Sequence, residues 1–232
     1  MKLAMISGAS RGIGKAIAAE LLDAGWAVSL GLRDVSAAPF TGPNVLCSRY
    51  DALDPQSEAA WVDETRARFG RLDGLVLSAG IHSKTTVLDA GEDEFDRLMD
   101  VNVKSPMRLA QKAWGALAET GADKAEPGRI VLIASLSGKR IKSAKSGLYG
   151  MSKFALMGLA HGLRQSGRAD RVRTTAICPS FVATDMAAGV LDDTAHLTQP
   201  EDLARIVRTV LDLPPSASIA DIPVHYDVED VY

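Results

Sequence analysis

Tyr149 and Lys153 stand four residues apart in the stretch Leu148-Tyr149-Gly150-Met151-Ser152-Lys153-Phe154. On a helix that spacing puts both side chains on one face, about one turn from each other. Ala155, Leu156, Met157, Leu159, Ala160 and Leu163 continue the pattern, so the helix is expected to be buried along much of its surface. An ammonium beside a phenol in such a place favours the phenolate. Moving a tyrosine from a pKa near 10 to about 7 takes about 4 kcal/mol, which a neighbouring lysine and a cationic cofactor ring in a low-dielectric cleft can supply. A phenol tuned in this way gives a proton to, or takes one from, an alcohol oxygen. The pair alone equally fits an amphipathic helix with a surface lysine. Residues upstream must decide.

The first of these is the glycine loop. An apolar run, Leu3 to Ile6, leads into Ser7-Gly8-Ala9-Ser10-Arg11-Gly12-Ile13-Gly14, and an Ala-rich helical pattern follows with Ile17, Leu21 and Leu22 on one face. Strand, glycine loop and helix form the unit that binds a pyrophosphate at a helix N-terminus. Glycine is required there because a side chain would hold the phosphate away from the backbone amides. The spacing is Gly-x-x-x-Gly-x-Gly, which departs from the common Gly-x-Gly-x-x-Gly. A second strand, Ala27 to Leu32, ends in Gly31-Leu32-Arg33-Asp34, where dinucleotide folds meet the adenosine ribose. Leu32 cannot accept a bond from a ribose hydroxyl. Arg33 can form a charge-assisted bond to a 2′-phosphate, worth about 1.5–3 kcal/mol, and Arg11 can approach the same group. NADP(H) is therefore expected over NAD(H). Asp34 opposes this, since a shift of one residue would put a carboxylate at the ribose.

The elements that must position these groups alternate along the chain. A third strand over Val45 to Tyr50 runs into Asp51, placed either to accept from an adenine amino group or to shape a turn, and Asp54 before Pro55 reads as a helix N-cap. After a helix through Trp61 and Phe69, a fourth strand, Leu72 to Leu77, ends at Ser78-Ala79-Gly80, with His82 just beyond as a loop or mouth residue. Phe95 to Val103 is expected to be helical and to carry Asn102, whose buried amide needs partners. Met107 to Leu117 is a further helix, and Thr120 to Gly128 is a polar insertion. Arg129 to Ala134 is a central strand leading to Ser135-Leu136-Ser137-Gly138. Val172 to Cys178 is the next, ending in Pro179-Ser180-Phe181-Val182-Ala183-Thr184. A helix over Glu201 to Leu211 and a strand over Ile219 to Val224 close the chain. The pattern predicts one domain over residues 1–232, a doubly wound parallel β-sheet of the Rossmann-like α/β type with helices on both faces.

Composition narrows the function. The chain has 232 residues, 47% of them hydrophobic, and a net charge of −3, which argues against nucleic acid or an anionic membrane as the main partner. No apolar run reaches the length of a membrane span, and the N-terminal apolar run is too short for a signal peptide. Cys47 and Cys178 form no metal-like cluster, so no metal is expected. A cytoplasmic protein with reduced thiols is the expectation.

Taken together, these stretches resemble the short-chain dehydrogenase/reductase family over almost the full length. The residues that carry the resemblance are Gly8-x-x-x-Gly12-Ile13-Gly14, Ser78-Ala79-Gly80, Asn102, Ser135, Tyr149-x-x-x-Lys153 and Pro179 through Thr184. The resemblance implies reversible carbonyl/alcohol oxidoreduction, with hydride passing to or from a nicotinamide. Tyr149 would be the general acid/base and Ser135 would hold the substrate oxygen. Lys153 would bind the nicotinamide ribose and depress the Tyr149 pKa, while Asn102, through its backbone, would hold a water. Val182 and Thr184 would bracket the carboxamide. A homo-oligomer, tetramer or dimer, is implied through the helices holding Met107 to Leu117 and Tyr149 to Leu163.

Three positions depart from the family pattern. Ser78 stands for an asparagine, Ser180 stands for a glycine, and Ser135 lies fourteen residues before Tyr149, whereas Ser137 lies twelve before it. Ser135 is chosen because Ser135-x-x-Gly138 matches the family run, which puts an insertion in the loop from Lys139 to Gly147. Ser137 is the alternative. That loop carries Lys139, Arg140, Lys142 and Lys145, either a basic rim for an anionic substrate or a solvated loop. The segment from Asp185 to Thr198 is short for a lid, with Met186, Val190 and Leu191 available to cover a ligand. Two other activities fit the fold: a catalytically silent nucleotide-binding scaffold, and an epimerase or dehydratase.

Overall fold

The computed structural model describes residues 1–122, 126–187 and 196–227. Seven strands, Leu3–Ser7 (β1), Ala27–Leu32 (β2), Val45–Arg49 (β3), Gly74–Leu77 (β4), Gly128–Ile133 (β5), Val172–Pro179 (β6) and Asp221–Val224 (β7), form one sheet. All its neighbouring strands run parallel, in the order β3-β2-β1-β4-β5-β6-β7. The helices are Gly12–Asp23 (α1), Pro55–Phe69 (α2), Glu92–Met99 (α3), Ser105–Ala122 (α4), Gly147–Asp170 (α5) and Pro200–Leu211 (α6).

Every residue of β1, β2, β4 and β5 is buried, because each strand is covered on both faces. Alternate side chains serve opposite layers. Leu3 and Met5 join Trp61 of α2, Leu109 and Leu117 of α4, and Leu156 of α5. Ala4 and Ile6 join Ile17 and Leu21 of α1 and Leu203, Val207 and Leu211 of α6. A three-layer α/β/α arrangement results.

The sequence-based boundaries shift where side chains take over backbone bonds. Strand β4 begins at Gly74 rather than Leu72, and the Asp73 carboxylate beside it accepts from the Leu3 amide at 2.8 Å. Strand β7 begins at Asp221 rather than Ile219, whose carbonyl takes the Thr175 hydroxyl at 2.7 Å instead of a ladder amide. Asp54 caps α2, accepting from the Gln56 amide. Between α3 and α4 the rod is continuous but widens over Asp100–Lys104 into a π-helical turn that contains Asn102. The polar insertion falls partly, and Val190 and Leu191 of the expected lid fall wholly, outside the described residues.

Candidate active site

Strand order reverses at β1, which pairs with β2 on one side and β4 on the other, so the loops leaving β1 and β4 diverge and open a crevice at their carboxyl ends. Ser7 ties the two walls together, its hydroxyl accepting from the Ser78 and Ala79 amides at 3.1 and 3.2 Å. These are backbone bonds at position 78, so serine there leaves the junction closed. Gly8 has φ +68°, and a Cβ on it would lie 2.8 Å from Ala79 Cα, so only glycine lets the loops approach.

The crevice is lined by Gly8, Ser10, Arg11, Gly12, Ile13, Gly14, Arg33, Asp51, Ala79, Gly80 and Thr184, all marked from the sequence. Helix α1 opens into it without a cap. Arg11 makes no capping bond and the first turn holds no acidic residue. The first-turn amides are thus left to an outside acceptor, and they suit the diphosphate of a dinucleotide. Tyr50 and Arg97 also line the crevice and were not marked. Arg97 lies one helical turn before Val101, another lining residue, so the same-face spacing that pairs Tyr149 with Lys153 was the available signal. Tyr50 is fixed from behind, its phenol 2.8 Å from Ser105 Oγ, which donates to the buried Glu58 carboxylate at 2.7 Å; Arg108 neutralises that carboxylate.

At the ribose end, the Asp34 carboxylate turns to the Ser36 amide and hydroxyl at 2.9 and 2.6 Å, which holds its pKa below the usual carboxylate range. It caps a short 3-10 turn over Val35–Ala37 instead of facing the crevice. Asp51 accepts from the Leu53 amide at 3.0 Å while lining the crevice, so it both shapes a turn and fronts the site. Arg11 is drawn to Asp185, 2.7 Å away across the cleft mouth, with both side chains about 70% exposed.

Four further residues marked from the sequence gather beyond Gly80 of the crevice wall. Gly80 is the junction: a Cβ there would sit 3.3 Å from Asn102 Oδ1 and 3.8 Å from Lys153 Nζ. The Asn102 amide is fully used. Its Oδ1 accepts from the Ile81 amide at 2.9 Å, and its Nδ2 donates to the Ile81 carbonyl and to Ser152 Oγ, each at 3.0 Å. Ser152 in turn donates to the Tyr149 carbonyl at 2.7 Å, which binds the π-helical turn to α5. Lys153 is buried and donates to the Ile133 carbonyl at 3.1 Å, its Nζ 5.6 Å from the centre of the Tyr149 ring. Ser135 Oγ lies 3.5 Å from the Pro179 carbonyl, accepts from the Ser137 amide at 3.0 Å, and is near enough to the Tyr149 phenol to lower its pKa. Ser137 thus orients Ser135 through its backbone. Val182 is buried behind the wall, bridged to Thr198, and Thr184 projects beside Gly12.

Burial sets the electrostatics of the pair. It pushes the Tyr149 phenol well above its ordinary range, and the nearby Ser135 hydroxyl is the opposing effect. Burial also pushes Lys153 down to about 8. With its ammonium turned to the Ile133 carbonyl, Lys153 does not offset this burial in the protein alone, since desolvation penalises both charges. His82 packs on Tyr149 with ring centres 4.6 Å apart. In the loop after Ser135, Lys139 is paired with Asp221 of β7, so that part of the basic run is neutralised. Among the described residues no cluster of His, Cys, Asp or Glu suits a metal, and no helix is long and apolar enough to cross a membrane.

A family model described as short chain dehydrogenase matches residues 2–195. An agropine synthesis reductase of Rhizobium rhizogenes is 38% identical over 93% of this chain, which spans about 50% of that protein's length. Two solved structures superpose closely. The 3-ketoacyl-(acyl-carrier-protein) reductase of Brucella melitensis, complexed with NADH, has TM-score 0.88 at 24% identity over 97% of both chains. A short chain dehydrogenase of Burkholderia cenocepacia, in complex with NADP, has TM-score 0.85 at 27% identity over 97% of this chain and 96% of that one. A crevice suited to a dinucleotide whose wall at Gly80 adjoins Asn102 and Lys153, together with a match over most of the length, makes this chain a member of the short chain dehydrogenase family of oxidoreductases.

Proposed function

We propose that the protein interconverts a carbonyl compound and a secondary alcohol, with NADP(H) preferred over NAD(H). The observation that carries this is the meeting of Ser135, Tyr149, Lys153 and Asn102, brought from three elements, the end of β5, α5 and the π-helical turn, to the neighbourhood of Gly80 in the crevice wall. A bound nicotinamide dinucleotide supplies or accepts the hydride. In the reducing direction Ser135 Oγ–H donates to the carbonyl oxygen and holds it beside the Tyr149 phenol. As that oxygen gains negative charge, Tyr149 gives up its proton to it; in the oxidising direction the phenolate takes the proton back. Lys153 would hold the nucleotide ribose with its ammonium, and Asn102 keeps the Ile81 strand end and α5 in fixed relation.

Support for NADP(H) comes from Arg33 at the cleft wall and from the capture of Asp34 by Ser36, which removes the carboxylate that would select NAD(H). The name of the Rhizobium relative supports a reductase. Met107, Met151 and Phe154, exposed on α4 and α5, support assembly into a homo-oligomer. The test is NADPH oxidation by purified protein against a panel of aldehydes and ketones, wild type beside Tyr149→Phe. The variant is expected to bind nucleotide normally and to lose about 100- to 1000-fold in kcat. Near-normal turnover in it would overturn the assignment.

A further inference from the structure

His82 lies in a loop held on both sides. Before it, Ile81 is clamped through both its amide and its carbonyl by Asn102, at 2.9 and 3.0 Å. After it, Ser83 and Thr85 send their hydroxyls to the same oxygen of Glu94 on α3, at 2.7 and 2.9 Å, and the Thr85 amide donates to Ser83 Oγ at 3.0 Å. Ser83 is itself buried. A residue between two such anchors is held in place, and the place is the Tyr149 ring: centres 4.6 Å apart, planes tilted by 49°, within the range of attractive aromatic pairs. The residue is otherwise exposed. Partial burial first, then the charges of Lys84 in its own loop and of Lys153 on α5, lower its pKa. Both are cations and both oppose its protonation.

A tyrosine hydroxyl sits far from its Cα, so a small swing of the ring carries it away from Ser135. Misplacement of a reacting group by about 1 Å can cost about 100-fold in rate. We infer that His82 is a positioning residue, whose ring packs against Tyr149 and holds the phenol at Ser135 and at the incoming carbonyl oxygen. This role rests on Tyr149 acting as general acid and base, and it predicts that aromatic shape, rather than a titrating nitrogen, is what position 82 supplies.

Two measurements on the full chain test it. First, kcat and KM are compared for wild type, His82→Ala and His82→Phe with a carbonyl that wild type reduces, alongside the thermal midpoint. His82→Ala should lose about 10- to 100-fold in kcat with an unchanged midpoint, and His82→Phe should recover most of it with the wild-type pH profile. Wild-type kcat in the alanine variant, or a phenylalanine variant as slow as the alanine one, overturns the role. Second, the protein is labelled with 3-fluorotyrosine, which marks only four sites. The Tyr149 fluorine signal, assigned by its loss in Tyr149→Phe, should shift and broaden in His82→Ala and stay sharp in His82→Phe. An unchanged signal in His82→Ala overturns the contact. The fluorine readout needs no turnover, so it decides the packing even if the carbonyl panel fails, whereas Tyr149→Phe kinetics decide the proposed function.

Discussion

Burial works against both charges that a Tyr149–Lys153 pair would carry, and the residues around them show what is asked of a cofactor. Lys153 faces a carbonyl and Tyr149 a serine hydroxyl, so neither neighbour is an ion. A positive nicotinamide is the charge that would tip this balance toward phenolate. At the other end of the crevice the charges are already committed: Asp34 to Ser36, and Arg11 to the exposed Asp185. An ion pair this exposed is worth little, so Arg11 can exchange Asp185 for a phosphate at small cost. Arg33 is therefore the residue whose loss should discriminate between nucleotides. Arg33→Ala is expected to weaken NADPH binding by about tenfold or more, which corresponds to about 1.5–3 kcal/mol, and to leave NADH unchanged. Calorimetric titration of both nucleotides checks this, and equal loss for the two would place the 2′-phosphate elsewhere.

Among the elements, the π-helical turn at Asp100–Lys104 carries the most consequence. It joins α3 to α4 without a break, yet it sets the Asn102 side chain where it bonds the β4 exit on one side and α5 on the other. Such bulges recur at functional sites because a widened turn re-aims one side chain without ending the helix. Asn102→Ala would leave the Ile81 amide and carbonyl without these partners. The expected cost is about 2–4 kcal/mol in global stability, with faster amide exchange concentrated in the 81–85 loop and the first turn of α5. Hydrogen exchange read by mass spectrometry checks it. Uniform exchange across the chain would show that Asn102 does not couple these elements.

For the molecule as a whole, a buried lysine at the centre of the fold makes stability depend on pH in a direction that can be worked out. Lys153 goes from 10.5 in the unfolded chain to about 8 in the folded one. Below pH 8 both states hold the proton and the folded state bears the full cost of burying it. Between about 8 and 10.5 the unfolded chain still holds a proton that the folded one has released, so stability rises with pH. Buried Cys178, Tyr50 and Tyr149 are shifted upward and act the opposite way at higher pH, so the comparison must isolate the lysine. The stability of wild type relative to Lys153→Met is expected to rise by about 2–3 kcal/mol between pH 7.5 and 10. Urea unfolding across that range checks it; a flat difference would mean that Lys153 stays charged when buried.

The sequence by itself determined the alternation of strands and helices and the parallel doubly wound sheet. Apolar runs such as Leu75 to Leu77, buried on both faces, and the switch to helical spacing after each glycine cluster are local signals. It also determined the glycine walls of the crevice, because glycines at a strand end act through backbone geometry that neighbours in the chain define; Tyr50 and Arg97 come to the same wall through packing. What only the tertiary structure decided involves groups far apart in sequence. That Ser135, preferred already in the sequence, comes near Tyr149 depends on how β5 meets α5. The turning of Lys153 to the Ile133 carbonyl, the draw of Asp185 on Arg11 and the packing of His82 on Tyr149 depend on which surfaces meet. The upward shift of the Tyr149 pKa belongs with them. Spacing set an ammonium beside the phenol, but desolvation depends on everything packed around the pair, and in the folded protein desolvation is the larger effect.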